Sequence, residues 1–373
     1  MRELLELADD DARERWDSLR LCYTEPAGLT PLREAVADLY GGAVTPQQVL
    51  VCAPEEGVFL AMKALLRPGD RVVCAYPAYQ SLYELALSAG CALDYWEPSW
   101  DAASGKLRFD VARLEELVTK GGPPPRLVVV NFPHNPSGAT LAAADAARVV
   151  AAAAAAGAYL FSDEMYWRLE PDASLRLPPA VTLYDKAITL CGLSKSWALP
   201  GLRIGWLACR DAALIARVAA LKDYTTICSA GPSEVLALIA VRATEQLTAR
   251  ARAIVAANTA AADAFFARWA RLFEWAPPDA GPIAFPRLRV ESLPPPKTAA
   301  AAAAAAGAEG AAPVDAFCQA AVDEAGVLLL PASVYDHAAS LERGHFRIGL
   351  GRKSAPECLA RLDAFLVARY GAP

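Results

Sequence analysis

From residue 49 onward the chain alternates between short apolar runs and longer stretches in which apolar positions recur with helical spacing. The short runs are Val49 to Cys52, Arg71 to Ala75, Cys91 to Trp96, Leu127 to Asn131, Tyr159 to Ser162, Ala187 to Cys191 and Ile204 to Cys209. Their length and unbroken apolar character are those of strands buried on both faces. Between most of them lie amphipathic stretches of helical length, Glu56 to Leu66, Gln80 to Ser88, Val111 to Val118 and Ala142 to Ala156. This alternation predicts an α/β fold, a mixed, mostly parallel seven-stranded sheet covered by helices.

Residues Ser233 to Trp275 read as long helical territory rich in Ala, Arg and Leu, and after Trp275-Ala276-Pro277-Pro278 the style changes. A strand around Ile283 to Val290, a helix Val314 to Glu324, short strands at Val327 to Leu330 and His345 to Ile348, and a closing helix Glu357 to Tyr370 predict a smaller α+β domain. A low-complexity Pro/Ala loop at 294–312, with eight consecutive alanines at Ala299 to Ala306, interrupts it. Such an insertion at a loop tip adds little closure entropy and carries no expected function.

Composition narrows the class. With 55% hydrophobic and 21% charged residues among 373, apolar burial can offset chain entropy, so the chain folds. Lys+Arg 36 against Asp+Glu 42 gives a net charge of −6, the wrong sign for a nucleic-acid partner. The longest uncharged apolar run, Val149 to Phe161, falls short of the roughly 20 residues a membrane helix needs. The acidic start, with Asp9-Asp10-Asp11, resembles neither a secretory signal nor a transit peptide, and the expected location is the cytoplasm. Nine cysteines without CxxC spacing read as reduced thiols. There is no G-x-G-x-x-G after a strand and no G-x-x-x-x-G-K-[ST], and the three histidines are unclustered, so a Rossmann dehydrogenase, a P-loop NTPase and a His-rich metal site lose their signatures.

Three segments place polar residues where strands end. Asn131-Phe132-Pro133-His134-Asn135-Pro136-Ser137-Gly138 makes a rigid turn after one strand, a composition that ordinary loops share. In Phe161-Ser162-Asp163-Glu164-Met165-Tyr166, Asp163 stands at the carboxyl end of the next strand, where open α/β sheets bind ligands, or caps a helix. In Gly192-Leu193-Ser194-Lys195-Ser196-Trp197, Lys195 directly follows a buried strand, a place where an amine is desolvated and nucleophilic; Arg203, eight residues on, adds an anion clamp.

In this order the three segments, N-x-P-x-N-P-[ST]-G, Asp-x-x-Tyr and S-K-x7-R-x-G, closely resemble the fold type I, class I/II aminotransferases that use pyridoxal 5'-phosphate, and the resemblance runs from Tyr23 to the last helix. It implies a large cofactor-binding domain at 31–272 and a small domain formed by 1–30 and 273–373. It implies Lys195 as the Schiff-base lysine and proton shuttle, Asp163 as partner of the pyridine nitrogen, and Asn135 and Tyr166 as donors to the ring 3'-oxygen. Tyr79 matches the aromatic that stacks on the ring, and Arg203 the phosphate arginine. Ala53-Pro54-Glu55-Glu56 stands where the family writes Gly-Ala-x-Glu, a helix start poor in side-chain caps whose amides, from Glu55 on, would donate to the phosphate. Tyr23 matches a tyrosine that reaches the neighbour's phosphate, which implies a homodimer with shared sites; Arg347, in Phe346-Arg347-Ile348-Gly349, matches the fork for the substrate carboxylate, which Asn135 also contacts.

The pattern also departs from the family. Gly192 stands where many relatives have a phosphate-binding serine, and Pro54 removes a backbone donor, leaving Ser194 and Ser196 as expected replacements. The polar stretch Lys222 to Ser229 is expected to choose substrate side chains, and no second arginine is assignable to a dicarboxylate, which favours neutral or aromatic amino acids. The implied activity is amino transfer from an L-amino acid to a 2-oxo acid by a ping-pong route. The rivals are a lyase or cyclase acting by β- or γ-elimination, and a non-catalytic descendant of the fold.

Overall fold

The computed structural model describes residues 2–120, 122–294 and 312–373, so the Pro/Ala loop lies outside the described residues apart from its two ends. The chain divides into two compact units: Met1–Glu97, Phe109–Pro133 and Thr140–Ala251 form the first, and Pro98–Arg108, His134–Ala139 and Arg252–Pro373 the second.

The first unit begins with α1 (Arg2–Leu5), α2 (Asp10–Asp17), α3 (Thr30–Asp38), β1 (Val49–Cys52), α4 (Pro54–Leu65), β2 (Arg71–Ala75), α5 (Ser81–Ser88) and β3 (Ala92–Trp96). After a hairpin of β4 (Ser99–Asp101) and β5 (Lys106–Arg108), which belongs to the second unit, it resumes with α6 (Val111–Lys120), β6 (Leu127–Asn131), α7 (Ala143–Ala155), β7 (Tyr159–Asp163), α8 (Ala180–Leu183) and β8 (Ala187–Gly192). It continues through β9 (Gly205–Cys209), α9 (Ala212–Lys222), α10 (Gly231–Arg242) and the first part of α11 (Thr244–Arg268). The sheet order is β1-β9-β8-β7-β6-β2-β3, with β9 antiparallel to both neighbours and every other pair parallel. The expected seven-stranded, mostly parallel sheet is therefore present.

The apolar runs are continuous because both faces are covered. Leu50, Val72, Val129, Phe161, Leu190 and Leu207 pack toward α4, α5 and α9. Their alternate neighbours Val51, Val73, Val130, Leu160, Cys191 and Trp206 pack toward α3 and α10 or toward α6 and α7. Because side chains alternate along a strand, the two-residue period also fixes the strand ends: Asp163, Gly192 and Gly205 fall on the α4 side. There Gly192 and Gly205 face each other across the β8–β9 ladder, and Pro54 packs on both. A Cβ at Gly192 would stand 2.9 Å from Gly205 Cα and 3.0 Å from Pro54 Cγ, and one at Gly205 would meet Cys191 O at 2.6 Å.

The unit boundaries differ from the expected domains at both ends. Residues 1–30 belong with the sheet: Leu4 and Ala12 are buried beside Leu32, Val36 and α10 residues, and Arg242 Nη1 donates to Asp9 Oδ2 at 2.8 Å and Asp11 Oδ2 at 2.9 Å. The second unit starts earlier than expected, inside α11, because Ala262, Phe265, Phe266 and Trp269 complete its apolar core.

That unit adds β10 (Phe273–Glu274), β11 (Ile283–Ala284), β12 (Arg287–Leu288), α12 (Pro313–Ala325), β13 (Leu330–Pro331), α13 (Ala338–Glu342), β14 (Phe346–Gly349) and α14 (Ala355–Tyr370). The single strand expected over Ile283 to Val290 is split into β11 and β12, with Pro286, which has no N–H for a ladder, between them. The strand expected over Val327 to Leu330 is reduced to Leu330–Pro331, and Leu328 is exposed. Trp269, Phe273, Phe317 and Phe346 make the centre of this core, and Trp269 Nε1 donates to Asp363 Oδ1 at 2.8 Å. The nine cysteines are all free thiols.

Overpacking so tight a junction costs about 1–3 kcal/mol. Gly192→Ser is therefore expected to lower the urea midpoint by that equivalent with an unchanged denaturant slope, and an unaltered midpoint would show that the β8–β9 end yields freely.

Candidate active site

Asp163 ends β7 between Asn131 of β6 and Leu190 of β8 in register. Its backbone carbonyl accepts from Asn131 Nδ2 at 2.9 Å, and the next residue, Glu164, donates its N–H to Leu190 O at 2.8 Å. These bonds fix a side chain that is only 5% exposed. Its Oδ1 accepts from the Met165 N–H at 3.0 Å. Burial above all, with the Glu55 carboxylate adding to it, pushes the carboxyl up to about 6 against the Met165 N–H and the nearby Lys195 ammonium, which pull the other way. Glu164 points to the opposite face of the sheet, and burial pushes it up to about 7 against bonds from Ala180, Ser162 and Thr189.

Lys195 sits on a tight turn between β8 and β9. Leu193 N donates to Ile204 O at 3.0 Å, Leu199 N to Leu193 O at 2.9 Å and Ala198 N to Lys195 O at 2.9 Å, while Trp197 plugs into the core at 1% exposure. Buried Ser196 places its hydroxyl 2.5 Å from Trp167 O and 3.2 Å from Met165 O, tying this turn to the one that carries Asp163 and buried Tyr166. Two expectations change here. Lys195 is exposed rather than desolvated, because the turn projects it away from the buried β8 strand. Ser196 is committed to the Tyr166 turn, so of the two serines only the half-buried Ser194 stays available as a replacement donor.

The N-terminus of α4 lies on the same side, held by Pro54 against Gly192 and Gly205. Ala53, its N-cap, contributes no side-chain cap, and Pro54 no N–H. Glu55 accepts from the Ser81 hydroxyl and is hydrogen-bonded to the hydroxyl of half-exposed Tyr79. Burial, then Glu55, push the Tyr79 phenol upward. Glu56 accepts from the Thr225 hydroxyl and from Thr226 Oγ1 at 2.8 Å, which pins the Lys222–Ser229 stretch to α4. Buried Lys222 donates from within that stretch to Pro26 O at 2.8 Å and Ile227 O at 3.1 Å, and β-branched Ile227 is held at φ 64°. Arg203, exposed and left-handed at φ 55°, donates to Pro200 O at 3.0 Å. Tyr23 is 85% exposed.

The second unit carries its own cluster. Asn135 Oδ1 accepts from Arg347 Nη1 at 2.9 Å and from the Tyr335 hydroxyl at 3.3 Å, and the Arg347 guanidinium lies 5.9 Å from the Tyr335 ring centroid. Phe346 and Ile348, its neighbours on β14, are buried, which leaves Arg347 aimed by its strand. Tyr335, Ser81 and the side-chain role of Ser196 have no signal in the sequence pattern, since each is defined by a partner far away along the chain.

The α/β sheet thus ends, on one side, in a lysine within electrostatic reach of a buried aspartate and a helix start packed by proline on two glycines. Comparison with known proteins makes this specific. The family profile "Aminotransferase class I and II" matches residues 8–361, and the chain belongs to that family. It is 32% identical over 218 residues to the probable N-succinyldiaminopimelate aminotransferase DapC of Mycobacterium tuberculosis, which covers 56% of this chain and 53% of the relative. The chain thus matches about half the length of such curated relatives. A PLP-dependent aminotransferase from Streptococcus suis superposes with a TM-score of 0.81 at 26% identity, covering 98% of this chain and 89% of the other. The PLP-dependent cyclase OrfR does so with 0.80 at 28% identity, covering 98% and 88%.

The family implies pyridoxal 5'-phosphate, and the residues present fit it. A buried carboxylate raised by its surroundings is matched by a protonated ring nitrogen, an exposed primary amine stands within its electrostatic reach, and Arg203 supplies a guanidinium for a phosphate.

The Asp163 carboxyl keeps its proton to about pH 6 in the folded chain, against 3.8 ordinarily, so its stabilising effect is full below about pH 4 and is lost as pH rises toward 6. That difference corresponds to about 3 kcal/mol. In protein without added cofactor, Asp163→Asn is expected to flatten the loss of stability between pH 4 and 6 by this amount in urea titrations; parallel wild-type and variant curves would contradict the burial argument.

Proposed function

We propose that this chain transfers the amino group of an L-amino acid to a 2-oxo acid by a ping-pong reaction, acting in the cytoplasm as a homodimer with shared sites. The observation that carries the reading is the tie made by Ser196, which sets the Lys195 turn against the turn bearing Asp163 and Tyr166. Pyridoxal 5'-phosphate supplies, when bound, an aldehyde carbon and an electron-withdrawing ring. Lys195 Nζ would be the amine that holds that carbon and, when free of it, would hold and move the proton at substrate Cα. Asp163 holds the proton on the ring nitrogen, and Tyr166 and Asn135 Nδ2 donate to the ring oxygen. Tyr79 covers the ring and keeps water out. Arg203, Ser194 and the amides that follow Pro54, beginning with Glu55, hold the phosphate, and exposed Tyr23 serves the neighbouring subunit.

Arg347 forks onto the substrate carboxylate, its Nη1 steered by Asn135 Oδ1. The Lys222–Ser229 stretch, pinned through Glu56, selects the substrate side chain, with neutral or aromatic amino acids favoured. A second reading, cyclisation or elimination on an amino acid, is supported by the likeness to the cyclase OrfR.

The test is a screen of amino donors on purified protein with added cofactor. Transamination requires conversion of bound cofactor to its amine form and turnover that depends on a 2-oxo acid; product formed without any oxo acid would establish the second reading instead. Arg347→Ala is expected to raise KM for the amino acid about 30-fold or more, the scale of a truncated charge pair, with only partial recovery in Arg347→Lys. An unchanged KM would remove Arg347 from the substrate site.

A further inference from the structure

Two of this chain's departures from its family meet at one place, the first turn of α4. Pro54, which has no N–H to offer, is wedged over Gly192 and Gly205 at the ends of the two strands that flank Lys195. A hydroxyl-bearing residue at 192 has no room there, since its Cβ would stand 2.9 Å from Gly205 Cα. The junction therefore offers neither an N–H from residue 54 nor a hydroxyl at 192, and it carries an acid, Glu55, in the helical turn where the macrodipole favours negative charge.

The Glu55 carboxylate is held in place: it accepts from the Ser81 hydroxyl, is hydrogen-bonded to Tyr79, and lies near enough to Asp163 to act on its charge. These contacts use the features that attract an anion, namely a helix N-terminus and convergent hydroxyl donors. The chemistry of the cofactor sets where its own anion must fall. Its aldehyde has to reach Lys195 and its ring nitrogen Asp163, and the phosphate-bearing carbon is attached to the ring position next to the aldehyde. The phosphate is thus confined to the surroundings of the Lys195 turn, on the α4 side of the sheet.

We infer that the Glu55 side chain is a built-in competitor for the cofactor's phosphate at the N-terminus of α4, lowering affinity for the phosphorylated vitamer relative to phosphate-free pyridoxal. This rests on the assignment of Lys195 as the residue that bonds the cofactor. Glu55 then sets how strongly the chain discriminates between pyridoxal 5'-phosphate and pyridoxal. It does so by like-charge repulsion and by occupying Ser81 and Tyr79.

The experiment is an equilibrium titration of wild type, Glu55→Gln and Glu55→Ala with each vitamer, read by absorbance and by borohydride trapping at Lys195. Both substitutions are at an exposed position and are expected to fold. The ratio of the pyridoxal Kd to the pyridoxal 5'-phosphate Kd should rise about fivefold or more in both variants, the scale of one charge at a helix terminus. Any effect relayed through Asp163 moves both vitamers together and cancels in that ratio. An unchanged or lower ratio overturns the inference and leaves the lysine assignment standing. If neither vitamer leaves a reduced mass adduct at Lys195 in wild type, the assignment itself fails, and the inference with it.

Discussion

The site depends on one unfavourable act, the burial of the Asp163 carboxyl at the end of a central strand. The Met165 N–H bonds it directly, and the Lys195 charge acts on it from farther away. Burying an acid on these terms is tolerable only where the scaffold does not relax around it. The surrounding bonds provide that rigidity: Asn131 holds the Asp163 carbonyl, Glu164 bonds back to β8, and Ser196 ties the following turn to the lysine turn.

The same packing explains why this chain departs from its family where it does. A Cβ at 192 would stand 2.9 Å from Gly205 Cα and 3.0 Å from Pro54 Cγ, so the antiparallel partner strand and the helix start together leave no room for a serine there. Proline also presets the first helical turn, which favours the α4 start even though Ala53 gives no side-chain cap.

The sheet was legible in the sequence because strands buried on both faces leave continuous apolar runs, and all seven of those runs match within one residue at each end. The β4–β5 hairpin was not: exposed Ser99 and half-exposed Asp101, Lys106 and Arg108 are polar residues with no apolar signature, and Lys106 and Arg108 are instead held through Asp279. Residues 1–30 were assigned by resemblance, whereas Leu4 and Ala12 found their burial against α10. At the site, Asp163 and Lys195 were readable as polar residues at strand ends. Tyr335 and Ser81 were not, because they are defined by Asn135, 200 residues from Tyr335, and by Glu55, 26 residues from Ser81.

Adjacent acids at the start of a helix are usually equivalent dipole partners, but here they diverge. Successive helical residues point about 100° apart, so Glu55 turns toward Tyr79 and Ser81 while Glu56 turns toward Thr225 and Thr226. One first turn thus governs two different surfaces, the Tyr79 side chain and the strained stretch around Ile227. A shift of α4 along its axis would disturb both together, and Pro54 lodged over two glycines is the contact that opposes such a shift.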